Sequence, residues 1–347
     1  MPHRSGAHHS HHHHHGAGPD RLAQLPDAIL IDIFEAVNRL SKRDLCAVSR
    51  LNKRYHVLAD AVLYKTVHFL TPELHLIFSE SLSRRPRRGS SIQAVKLAYP
   101  ASKLSSLISR APIHGSQLHQ DHPPLPFDSL SRTISTMSNL ETLDVAVPDS
   151  LLHGMGLLFN GPFDLACLKS CTLFYQTDDD GYWDLQENIH IFAHPTLETL
   201  VIKKAKLDYR GFDLIEQPHE TALSKLHLIE CDINDDALSD LLMFPKALKE
   251  FLETLEFFNE LGTDPEVTDL FVYALENLQI TARKLKRLIV VEGENGIPKA
   301  IEDAVKTQPQ LKLDIIGSMD DRSDAGTEEE TEGEESEKNG EGGTDTD

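Results

Sequence analysis

Leu223 to Ile233 reads LSKLHLIECDI, with leucine at offsets 0, 3 and 5, cysteine at 8 and isoleucine at 10. A two-residue step puts two side chains on one face of a short strand, and the three-residue step before it places another on a bend. One strand of this length cannot bury that face. Stacking copies of it can. The small residue and the apolar residue at offsets 8 and 10 are assigned to the turn that leaves the strand.

The spacing recurs. It is present in Leu140/Leu143/Val145, Leu168/Cys171/Leu173, Leu197/Leu200/Ile202, Leu252/Leu255/Phe257 and Leu285/Leu288/Val290. The central members, at 143, 171, 200, 226, 255 and 288, are separated by steps of 28, 29, 26, 29 and 33 residues. The tetrapeptide LETL stands at 140, 197 and 252. Ile92/Val95/Leu97 are read as the first strand, 48 residues before the next centre and so about two repeats away. Leu311 and Leu313 are read as the last. Between strands, Leu238, Leu241 and Leu242 form one helical stripe after an Asp-rich start, and Leu270, Tyr273, Ala274 and Leu278 form another. The pattern resembles the leucine-rich repeat, LxxLxLxxN/CxL, most fully at Leu223–Ile233 and, with Ala205 for cysteine, at Leu197–Leu207. The fold class expected is α/β: a helical amino-terminal module followed by an irregular leucine-rich-repeat solenoid with a parallel sheet.

The ends have another texture. Residues 1–21 hold eight of the 19 histidines and read as an expression tag or a disordered leader. Residues 318–347 carry 13 Asp/Glu against one Arg and one Lys, with too little apolar surface to offset ordering, and are expected to be disordered. Residues 1–317 are still acidic, 32 Lys/Arg against 42 Asp/Glu, which argues against nucleic-acid and anionic-membrane partners. No run of 18 apolar residues and no secretory pattern is present, so a soluble intracellular protein is expected. Cys46, Cys167, Cys171 and Cys231 do not form a disulfide framework or a CxxC pair, and read as buried thiols.

Residues 22–68 have helical spacing throughout: Pro26 in a first turn, Ile29, Leu30, Ile33, Phe34 and Val37 behind it, Ser41 as an N-cap, then Leu45, Val48, Leu51, Tyr55, Leu58, Ala59, Val62 and Leu63. The first helix has more large apolar residues than a module this small can bury, so part of it is expected to face another protein. This stretch resembles an F-box, the adaptor-binding module of Skp–cullin–F-box ubiquitin ligases. Leu25, Pro26, Ile29, Leu30, Ile33 and Phe34 match its opening, Asp44 and Leu45 its second element, Arg50, Tyr55, Leu58 and Ala59 its third, and Leu63, Tyr64 and Val67 its exit. Ala28 departs from the usual glutamate, and Tyr55 replaces a Trp or Phe. The resemblance implies that Leu25, Pro26, Ile29, Leu30, Phe34, Leu45 and Val48 insert into a Skp-type adaptor, and through it reach a cullin. With the repeats, it implies a fungal-type substrate receptor, non-catalytic, cytoplasmic or nuclear, that holds an unknown target protein. A repeat scaffold with no ligase role is the competing class.

The organisation expected is a leader at 1–21, the F-box at 22–68, a linker at 69–91, the repeat domain at 92–317 and the tail at 318–347. Tyr182 and Trp183, on an Asp-rich insertion after a repeat strand, are candidate substrate anchors. The basic run Ser83–Ser91 reads as a solvated loop, with a nuclear signal or an acidic-degron contact as the functional options. The Pro- and His-rich stretch from Ala98 to Pro126 is expected to be a loop, and its His114, His119 and His122 lack metal-ligand spacing. No cofactor is expected, and none of the common hydrolase, metalloprotease or nucleotide-binding motifs is present.

Overall fold

The structure, a computed structural model, describes residues 21–100, 103, 132–148, 165–177, 181–207, 221–233, 235–243, 252–259, 265–292 and 296–316. The expectations for the leader, the acidic tail and the three loop histidines lie outside these residues. The chain divides into two compact units, residues 1–169 and 170–347.

The first unit opens with a short 3-10 turn and three helices, α1 (Asp27–Leu40), α2 (Lys42–Val48) and α3 (Lys53–Leu63). Each later helix starts where a polar side chain satisfies an orphan amide. The Ser41 side chain accepts from the Asp44 N–H at 3.2 Å, and the Asn52 side chain from the Tyr55 N–H at 2.8 Å. Leu30 and Phe34 of α1, Leu45 of α2 and Tyr55, Leu58, Ala59 and Val62 of α3 form the core, with Phe34 edge-on to Tyr55 at 5.6 Å. Leu51, assigned to the apolar stripe from sequence, sits in the turn before α3 and is exposed.

Three parallel strands follow: β1 (Thr66–Phe69), β2 (Ala94–Ala98) and β3 (Thr142–Pro148). Val67 pairs with Val95 and Val95 with Leu143, in register. Two expectations change here. Strand β1 was not anticipated, although Val67 lies 28 residues before Val95. Strands β2 and β3 are direct neighbours, so no strand lies between them in the sheet although Val95 and Leu143 are 48 residues apart. Closing a longer connection costs little extra entropy, so register survives the longer interval. The stretch 69–91, expected to be a linker, carries α4 (Pro72–Arg84) and a 3-10 turn (Pro86–Ser91). Thr71 caps the Leu74 N–H, Pro72 suits the first turn, and His75, Phe78 and Leu82 supply an inward face.

In the second unit, β4 (Ser170–Gln176), β6 (Thr199–Lys203), β8 (Lys225–Ile229), β10 (Thr254–Asn259), β11 (Arg287–Glu292) and β12 (Lys312–Ile316) lie side by side in that order, all parallel. Two apolar ladders cross them: Cys171, Leu200, Leu226, Leu255, Leu288 and Leu313, then Leu173, Ile202, Leu228, Phe257, Val290 and Ile315. The first five of each row are buried and the β12 members are not. Offsets 8 and 10 form more than a turn. Ala205, Leu207 and Ile233 lie on a second parallel sheet of short strands, β5 (Trp183–Asp184), β7 (Ala205–Leu207) and β9 (Asp232–Ile233), with Cys231 immediately before β9. The bend into it is left-handed at equivalent places, Lys204 (φ 56°) and Glu230 (φ 49°), and their side chains pair at 2.8 Å.

Helices return the chain from strand to strand: α5 (Asp235–Met243), α6 (Pro265–Glu276), the short α7 (Leu278–Thr281) and α8 (Lys299–Lys306). Leu238, Leu241 and Leu242 are buried as expected. On α6 the inward stripe is Phe271, Ala274 and Leu275, continued by Leu278, while Leu270 and Tyr273 face water. Cys171 and Cys231 are buried, whereas Cys46 and Cys167 are only half-buried; all four are free thiols.

Candidate functional site, an uncovered helix face

Helix α1 is apolar on two adjacent faces. One, carrying Leu30 and Phe34, is turned to α3. The other carries Ile29, Ile33, Ala36 and Leu40 at steps of four, three and four. Ile29 is 45% and Leu40 is 89% exposed, Ala36 is exposed and Ile33 half-buried. Pro26 is exposed at the helix entry, and Leu25 and Val48 are half-buried against the three-helix core. Of the seven residues expected to enter an adaptor, Leu25, Pro26, Ile29 and Val48 therefore keep surface toward solvent.

Leu30, Phe34 and Leu45 do not: they are 1%, 4% and 0% exposed. They fill the module's own interior, and a partner could reach them only by unfolding it. Consecutive positions are turned about 100° from one another around a helix, so Ile29 and Leu30 belong to different faces. Helical spacing alone does not say which face is covered; the apolar residues of α3 decide it.

Arg54 of α3 holds the entry to α1. Its guanidinium donates to the Asp27 carboxylate at 2.8 Å and to the carbonyls of Ala23 and Leu25 at 2.6 Å each. Three bonds from one rigid fork set the angle at which Leu25 and Pro26 leave the 3-10 turn. Sequence reading missed Arg54, because its partners lie 27 to 31 residues away.

The aromatic pair behaves otherwise than expected. Trp183 is 2% exposed, lies edge-on to Tyr175 at 4.7 Å and donates its indole N–H to the Lys203 carbonyl at 2.7 Å. With both its ring and its one donor used, it joins the two sheets and is not an anchor for a ligand. Tyr182 is half-buried. The basic run is partly structural as well. Arg88 grips Asp60 of α3 with two bonds, at 2.9 and 3.0 Å, and lies 4.5 Å above the Tyr64 ring. That carboxylate raises its already high pKa further.

Among the described residues, chemically reactive clusters are sparse. His227 on β8 hydrogen-bonds Glu256, its in-register neighbour on β10. The two positions are one repeat apart, 29 residues, so a repeat-aligned reading would have found them. Among the described residues no group of three His, Cys, Asp or Glu could hold a metal, and no helix is long and apolar enough to cross a membrane. Against known proteins, residues 22–70 match the F-box-like family model. No curated protein matches the chain.

Proposed function

We propose that this protein is the substrate-receiving subunit of a Skp–cullin–F-box ubiquitin ligase. The observation that carries the reading is the F-box-like match at 22–70, coinciding with the uncovered apolar stripe of α1. Leu25, Pro26, Ile29 and Val48, extended by Ile33 and Leu40, would seat on a Skp-type adaptor, and through it the chain would reach a cullin. Apolar surface left open at this density on one helix face is the signature of a partner's seat.

In the same reading, residues 92–317 are a degenerate leucine-rich-repeat domain of fungal type that holds a target protein. The in-register parallel ladders and the repeated left-handed bends at Lys204 and Glu230 support it. The chain itself would do no chemistry. It would raise the local concentration of target beside the transferring subunits, in cytoplasm or nucleus.

Co-expression with a Skp-type adaptor tests this. Ile29→Asp with Leu40→Asp should abolish co-purification while leaving the far-ultraviolet circular dichroism unchanged, since both residues face water. Adaptor retained at wild-type level by a folded double variant would leave the repeat-scaffold class in its place.

A further inference from the structure

We propose that the cleft at the carboxyl end of α4 binds an acidic segment of a partner protein. Two features of α4 meet there. Leu74 and Ile77, one turn apart on α4, are 44% and 64% exposed and form an apolar ridge on the helix, and Leu70, just before the helix, is 55% exposed. The ridge ends at a cleft of about 350 Å³ lined by Ile77, Glu80, Ser81, Arg84, Arg85 and Arg88. In a chain of net charge −21, the stretch Ser83–Ser91 holds four arginines and no acid.

The four arginines are not equivalent. Arg88 is spent on Asp60 and Ser81, and forms the rigid wall of the cleft. Arg84 reaches Glu80 one turn back, with both side chains well exposed, the kind of pair an incoming carboxylate exchanges at little cost. Arg85 lines the cleft, is exposed and, among the described residues, makes no ion pair; Arg87 is exposed too but is not part of the lining. The open Arg85 fork and the exchangeable Arg84 fork, both lining the cleft beside an aliphatic ridge, complement a peptide that combines carboxylates with a leucine-like side chain. The overall negative charge does not forbid this, because repulsion from charges farther than about 8 Å is screened at physiological salt. A membrane or nucleic acid would need a broad positive surface, and the positive charge here is confined to one turn.

The site is separate from the α1 stripe, so the inference stands or falls apart from the ligase reading. The test uses the full chain and a fluorescent peptide of about twelve residues alternating Glu and Leu, with a Lys-for-Glu peptide as control, read by anisotropy. Binding should weaken by about tenfold or more in Arg84→Glu with Arg85→Glu, weaken in Ile77→Asp, and fall as salt rises, while adaptor capture is unchanged in the same samples. Equal affinity in the charge-reversed variant, with an unaltered urea midpoint, would overturn the proposal. So would binding to phosphatidylserine vesicles in preference to the peptide, or peptide binding that emerges only after deletion of the acidic stretch 318–347.

Discussion

Phe34 and Ile29 are five residues apart and equally apolar, yet they do opposite work. Phe34 is buried against Tyr55, so Phe34→Ala should cost about 3–5 kcal/mol in urea unfolding, through lost transfer energy and the cavity left behind. A cost below about 1 kcal/mol would mean the three-helix core is not packed as described. Gly89 shows a different constraint. A Cβ there would fall 2.8 Å from the Thr136 carbonyl oxygen, a backbone atom that cannot swing aside. Gly89→Ala should therefore force the Pro86–Ser91 turn away from Thr136, lowering stability by about 1–3 kcal/mol. It should also break the bond that the Asn139 side-chain amide donates to the Ser90 carbonyl, and speed hydrogen exchange of the Ile92 N–H, which is bonded to the Gly89 carbonyl in that turn.

Elements were largely legible because each carries its own signal. Every apolar triplet from Leu140 onward lies on or beside a strand, since the two-residue step is a local property of extended chain. Where the reading failed, a second signal competed. Val67 fits the 28-residue period but also fits the helical exit of the module before it, so β1 was absorbed into that module. On α6 the leucine and tyrosine at 270 and 273 looked like the inward stripe, and the phenylalanine at 271 took it instead, its ring edge-on to Phe257 at 5.2 Å. Caps belong to the same scale. Asn52 begins α3, the helix that both closes the core and carries Arg54. Asn52→Ala should cost about 1 kcal/mol by removing the bond to the Tyr55 amide. Asn52→Asp should restore most of it, and loss without rescue would assign Asn52 some other role.

Across the whole molecule, both units bury acids that stay neutral. In the first, burial raises the Tyr99 phenol above its usual range; in the second it raises Tyr175 and pushes the Cys231 thiol up to about 12. Each of these groups releases its proton more readily when unfolded than when folded. Their contribution is fully present below the ordinary thiol and phenol values and is lost as pH climbs toward the folded ones. The urea midpoint should fall steeply above the ordinary thiol pKa, and Cys231→Ala should flatten part of that fall; a midpoint constant to pH 11 would contradict the burial of these groups. The sequence by itself determined where strands recur, that an apolar helical module precedes them, and how much greasy surface that module has to place. Only the tertiary structure decided that Phe34, Leu45 and Trp183 are sealed while Ile29 and Leu40 are open, and that Arg88 is spent while Arg85 is not. The reason is physical: periodicity is a local property of the chain, whereas covering a face requires a second face, supplied by residues some twenty to thirty positions away whose pairing, outside the register of the repeats, no spacing records.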